Sequence, residues 1–132
     1  MFKEITSYEA ACVAIKEDPN NLPIVSHLSK EEGEDIINNT MLKRIVKAVN
    51  LNDDGSVYKA NYVDGSTKYE MGFGISATKA KPSGVGFSCS FYDDWGSVTR
   101  CGSRLAFRSL DRLQHVQEHF KPLREKVYLF LD

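Results

Sequence analysis

The stretch from Ser83 to Asp132 constrains the fold of this chain more than any other, because two alternating runs there feed a capped helix. Val85, Phe87, Cys89 and Phe91 alternate with Gly86, Ser88, Ser90 and Tyr92, the spacing of a half-buried strand with large residues inward and smaller ones outward. A turn, Tyr92-Asp93-Asp94-Trp95-Gly96, leads to a second run that sets Cys101, Ser103, Leu105 and Phe107 against Arg100, Gly102, Arg104, Ala106 and Arg108. Ser109 then caps a helix whose apolar stripe is Leu110, Leu113, Val116, Phe120, Leu123, Val127 and Phe130 or Leu131. Pro122 interrupts that stripe, which predicts a kink or two helical segments, since its ring removes a hydrogen bond to the preceding turn.

Upstream, the period is helical. A capping box of Thr6 with Glu9 opens a first helix carrying Tyr8, Ala11, Cys12 and Ile15 on one face, and Glu17-Asp18-Pro19 stops it. Residues 20–27 form an extended connector pinned to the core by Leu22, Pro23, Ile24 and Val25. A second box, Ser29 with Glu32, opens a longer helix in which Ile37, Met41, Ile45 and Val49 recur every four residues, flanked by Ile36, Leu42 and Val46. Gly33 in its first turn costs about 1 kcal/mol relative to alanine. Asn50 to Gly55 ends it with polar turn formers. From Ser56 the period becomes two: Val57 to Val63, an Asp64-Gly65 hairpin turn, and a return strand with Tyr69, Met71, Phe73 and Ile75 inward and Lys68, Glu70, Gly72 and Gly74 outward. Thr78 to Ser83 is a polar loop. The expected fold is α+β, with two N-terminal helices, a four-stranded antiparallel meander and a C-terminal helix packed on one sheet face, in a single domain over residues 1–132.

Composition narrows the function classes. With 17 basic against 18 acidic side chains the net charge is −1, so no global field draws the chain onto nucleic acid or an anionic membrane. The three cysteines, Cys12, Cys89 and Cys101, lack CxxC spacing and stand among apolar neighbours, as reduced buried thiols do; a Cys89–Cys101 bridge across paired strands is the alternative. No apolar run reaches signal-peptide or bilayer-spanning length, so the expected location is the cytoplasm, or something larger packaged from it, with no membrane partner.

Several of these runs carry a resemblance. Ser83-Gly84-Val85-Gly86-Phe87-Ser88, Tyr92-Asp93-Asp94-Trp95, Gly102-Ser103-Arg104-Leu105-Ala106-Phe107-Arg108-Ser109, and Phe120 with Leu123 resemble a group of small uncharacterised proteins encoded by Bacteroides-type gut bacteria and their phages and mobile elements. The opening Ile5-Thr6-Ser7-Tyr8-Glu9-Ala10-Ala11-Cys12 is similar to the group's N-terminal pattern. The middle departs from it, since Val57 to Ile75 contains neither the tryptophan nor the proline of the group's strand. The resemblance implies a phage or mobile-element origin and brings no activity with it.

The candidate sites are few. Gly72, Gly74, Gly86, Ser88, Ser90, Gly102 and Ala106 leave the outward sheet face with little bulk, a docking surface for a partner or a face closely packed by a loop. Arg100, Arg104 and Arg108 share that parity, with Lys68 on a neighbouring strand, and form a row suited to phosphate or carboxylate or a solvated face of local ion pairs. Tyr92 and Trp95 supply stacking groups beside the row, and Trp95 on its turn is a contact candidate in its own right. His115 and His119 stand four apart on a helix, as two metal ligands would, but with no third ligand at a metal spacing they read as a solvent-exposed pair. No nucleophile elbow, phosphate loop or catalytic pair is visible, so neither enzymatic activity, cofactor nor metal is expected. The expected function is binding of a protein partner or self-association as a homo-oligomer, in a virion component or counter-defence factor. The alternatives are nucleic-acid binding through the arginine row and sequestration of a small anionic ligand, such as a nucleotide, at an oligomer interface.

Overall fold

A computed structural model describes residues 1–59, 67–76, 86–96 and 106–129. A short 3-10 turn, Phe2–Glu4, precedes α1 (Tyr8–Ala14), and the chain then builds α2 (Lys30–Val49), β1 (Thr67–Ser76), β2 (Gly86–Gly96), α3 (Leu110–His119) and α4 (Lys121–Leu129).

The cap of α1 lies one residue beyond the expected box. Ser7 is the N-cap, its extended backbone aiming the hydroxyl at the first turn, where it accepts from the Ala10 N–H at 3.1 Å. The helix ends before the proline, in a Schellman pair: the Glu17 N–H reaches the Cys12 carbonyl at 2.9 Å and the Lys16 N–H the Val13 carbonyl at 3.2 Å. That closure places Lys16 at φ 58, the left-handed region where glycine is usual. The connector then crosses the first turn of α2, where a Cβ on Gly33 would stand 3.1 Å from the Val25 side chain. Gly33 is therefore the residue that lets Val25 lie on the helix. Ser29 caps α2 as expected, accepting from the Glu32 N–H at 3.2 Å.

Helices carry the core. Leu42, Ile45, Val46, Ala48 and Val49 of α2 are buried with Ile5, Ala11, Phe107, Leu113, Val116 and Phe120, so α1, α3 and α4 close around the C-terminal half of α2. Each fully buried Leu, Ile, Val or Phe side chain of this set contributes roughly 1.5–3 kcal/mol relative to exposure. The break between α3 and α4 falls at Phe120, with φ −125 and ψ 31. Pro122 sits in the first turn of α4, where a missing N–H leaves no intrahelical bond unmade, so two segments form rather than one kinked helix.

The expected four-stranded meander, and with it the α+β fold class, is overturned. Among the described residues four α-helices form the body, and the extended chain amounts to one two-stranded antiparallel ribbon, β1 with β2. Residues 57–59, the start of the expected first strand, have no regular structure, and the rest of that strand and the Asp64-Gly65 turn lie outside the described residues. Most of the expected fourth strand lies outside them as well; its end makes a single bridge, in which the Phe107 N–H meets the Tyr69 carbonyl at 2.8 Å and the Tyr69 N–H the Phe107 carbonyl at 3.2 Å. Among the described residues, the other edge of that segment faces no strand. Instead Asn50 Nδ2 donates to the Ala106 carbonyl at 2.8 Å, and Asn50 Oδ1 accepts from the Arg108 N–H at 3.1 Å. A helix-terminal amide thus supplies the donor and acceptor that a neighbouring strand would have offered. Alternation shows that a segment suits an extended backbone, and it does not show what the backbone pairs with.

The register also undoes the small-residue face. Gly72 stands opposite Phe91 and Gly74 opposite Cys89, while Met71 opposes Tyr92 and Phe73 opposes Ser90, with an irregularity between Gly74 and Ile75. Directly opposed positions share a face, so from Met71 to Gly74 the positions read as outward on one strand fall with those read as inward on the other, and only past the irregularity does Ile75 oppose Phe87, both read as inward.

Candidate functional site

Two clusters of polar side chains organise the described surface. In the first, α2 holds the turn after α1. Arg44 Nη1 donates to the Tyr8 hydroxyl at 2.7 Å and to the Asp18 carbonyl at 3.3 Å; Nη2 donates to the Asn21 carbonyl and lies 3.9 Å from the Glu17 carboxylate. The Tyr8 hydroxyl in turn donates to the Pro19 carbonyl at 2.9 Å. Burial and a hydrogen bond to Cys12 hold the Tyr8 hydroxyl above its ordinary pKa, against the lowering effect of Arg44. One guanidinium therefore collects three carbonyl or hydroxyl oxygens from separate residues, the multi-point geometry that a planar fork of donors permits.

The second cluster closes the C-terminal end of α2. Arg108 Nη1 donates to the Leu51 carbonyl at 3.1 Å, and its guanidinium carbon lies 5.9 Å from the Tyr58 ring centroid. Arg112 Nε donates to the Val49 carbonyl at 3.1 Å and Nη1 to the Ser109 hydroxyl at 2.9 Å. Two cations thus meet the carbonyls and negative dipole end of the helix. Ser109 occupies the N-cap position of α3, but its hydroxyl serves Arg112 and Asp111 instead of a backbone N–H, and that bond from Ser109 lowers the Asp111 pKa. Arg112 also lies 4.7 Å from the Phe2 ring centroid, and the edge of Phe2 meets His115 at a centroid distance of 5.5 Å.

Of the histidine pair expected to face solvent, His119 is exposed and His115 is not. His115 is only 8% exposed, and its Nε2 donates to the Ile5 carbonyl at 2.7 Å, which fastens the N-terminal turn to α3. His119 Nδ1 bonds the His115 carbonyl at 3.0 Å, with the two rings 4.3 Å apart. The apolar stripe is wide enough to take in a histidine whose ring nitrogen finds a carbonyl.

Of the anticipated arginine row, Arg108 is turned to the end of α2 rather than outward, while Arg100 and Arg104 lie outside the described residues. Lys68 stands opposite Trp95 in the ribbon, which places Trp95 within β2 and not on a turn. Tyr92 stands opposite Met71, three positions from Trp95 and so on the other face of the ladder. The structure brings Lys68 and Trp95 to one register position, and the antiparallel Tyr69–Phe107 bridge sets the Arg108 backbone level with Lys68 on the other edge of β1, while the Arg108 guanidinium is turned to the end of α2. Sequence reading missed Arg44, Asn50 and Arg112, and it missed Arg124, which is fully buried and donates to the Gln117 carbonyl at 3.3 Å. Only Asn50 carried a signal, as a polar residue ending an apolar helix.

Several large apolar side chains face solvent. Val13 on α1 is 77% exposed, Ile24 in the connector 82% and Ile36 on α2 39%. Ile24 adjoins the Val25 that rests on Gly33, and Ile36 is one helical turn beyond Gly33 on the same side. No helix among the described residues is long and apolar enough to cross a membrane. No family model, curated protein or solved structure matches the chain.

Proposed function

We propose that this protein acts without catalysis, by binding other protein chains and first of all copies of itself, as a component encoded by a phage or mobile element. The observation that carries this reading is the exposure of Ile24 and Ile36 on either side of the Val25–Gly33 contact. Burying such side chains against a second surface removes roughly 25 cal/mol per Å² of apolar area from water, and a net charge of −1 sets up little repulsion between copies. The described arginines of both clusters point to the same conclusion, because Arg44, Arg108 and Arg112 are engaged with the chain's own carbonyls. The resemblance to phage and mobile-element proteins supplies the setting.

Light scattering on the purified chain across a range of concentrations tests the reading. A mass above the 14.9 kDa of one chain, returning toward that value in Ile24→Glu, is the expected result. A strict monomer at every concentration that also retains no protein in a pull-down overturns it.

A further inference from the structure

We infer that the solvent face of α2 is a self-complementary seam on which a second copy of this chain docks antiparallel; the inference rests on the self-binding reading above and names its surface. Glu32, Ile36, Lys43 and Lys47 are all exposed, and their spacing of four, seven and four residues keeps them on one stripe of the helix. The stripe is acidic at its N-terminal end, at Glu32, and basic at its C-terminal end, at Lys43 and Lys47. Among the described residues the ion pairs join Met1 with Glu4, Lys30 with Glu34, and Arg44 with Glu17, which leaves Glu32, Lys43 and Lys47 outside them.

The middle of the stripe is suited to close approach. Asn39 Nδ2 donates to the Asp35 carbonyl at 2.8 Å and the Thr40 hydroxyl to the Ile36 carbonyl at 2.9 Å, so both short polar chains are bonded back along their own helix. A two-fold axis passing between Asn39 and Thr40 brings Glu32 level with the partner's Lys47 and Ile36 level with the partner's Lys43, whose methylene stem covers the isoleucine. Two-fold symmetry makes every such contact twice, so four ion-pair or apolar contacts follow from two residue pairings. A parallel pair would set acid on acid and base on base, which fixes the orientation.

The same charge order also suits the dipole of α2 itself, and the experiment separates the two roles. Sedimentation equilibrium is measured on the full chain as wild type, Glu32→Lys, Lys47→Glu, the double variant and an equimolar mixture of the two single variants. Each single reversal converts two attractions into two repulsions and is expected to weaken self-association about tenfold. The double variant and the mixture restore opposite charges across the seam and are expected within about threefold of wild type, although the double variant opposes the dipole of its own helix. Self-association that is indifferent to the single reversals, or that neither the double variant nor the mixture restores, overturns the seam while leaving self-binding intact. A wild-type chain that never exceeds monomer mass overturns both.

Discussion

Asn50 shows how much can rest on one side chain. It is buried, and its amide brackets Phe107 by bonding the residues on either side. Alanine there would leave the Ala106 carbonyl and the Arg108 N–H without that partner at a site water reaches poorly, at a cost of about 1–3 kcal/mol for each unsatisfied group. Asn50→Ala is therefore expected to lower unfolding free energy in urea by roughly 2–4 kcal/mol, and a loss under 0.5 kcal/mol would show that the bracket is dispensable. The sequence marked Asn50 as a turn former and no more. Its second role depends on a segment 56 positions away, and separations of that kind leave no local pattern. His115 escaped notice for the same reason, since its partner carbonyl belongs to Ile5.

At the scale of elements, the legible parts were those with local causes. Ser29 at the start of α2, the end of α1 before Pro19 and the division at Pro122 all follow from backbone chemistry within a few residues, and each is found. The ribbon was half legible: alternation marked two extended segments, but the pairing that sets Gly72 against Phe91 depends on register, which a single strand does not encode. One element carries a correctable strain. Lys16 closes α1 in the left-handed region, where a Cβ costs about 1 kcal/mol or more, and its side chain is exposed. Lys16→Gly is expected to raise the melting temperature by about 2–5 °C by calorimetry, and a fall would mean that the lysine side chain has a stabilising contact outweighing the strain.

The molecule as a whole is a helical body with a ribbon bridged to it at Tyr69 and Phe107, and its described arginines are largely turned inward. On the proposed reading, its binding surface is the helical pair of α1 and α2 with their connector, which carries exposed isoleucines and a face of α2 that is acidic at one end and basic at the other. Sequence reading placed function instead on the strands and the arginine row, because a row of like residues is conspicuous in a sequence and the direction in which a guanidinium turns is not. The most direct test of the seam uses its symmetry axis, beside which Thr40 lies next to its own copy. Oxidation of Thr40→Cys under conditions that leave the wild-type chain uncrosslinked is expected to give a disulfide-linked dimer on a non-reducing gel. A Thr40→Cys chain that stays monomeric under those conditions, at concentrations where the wild type self-associates, would contradict the proposed seam.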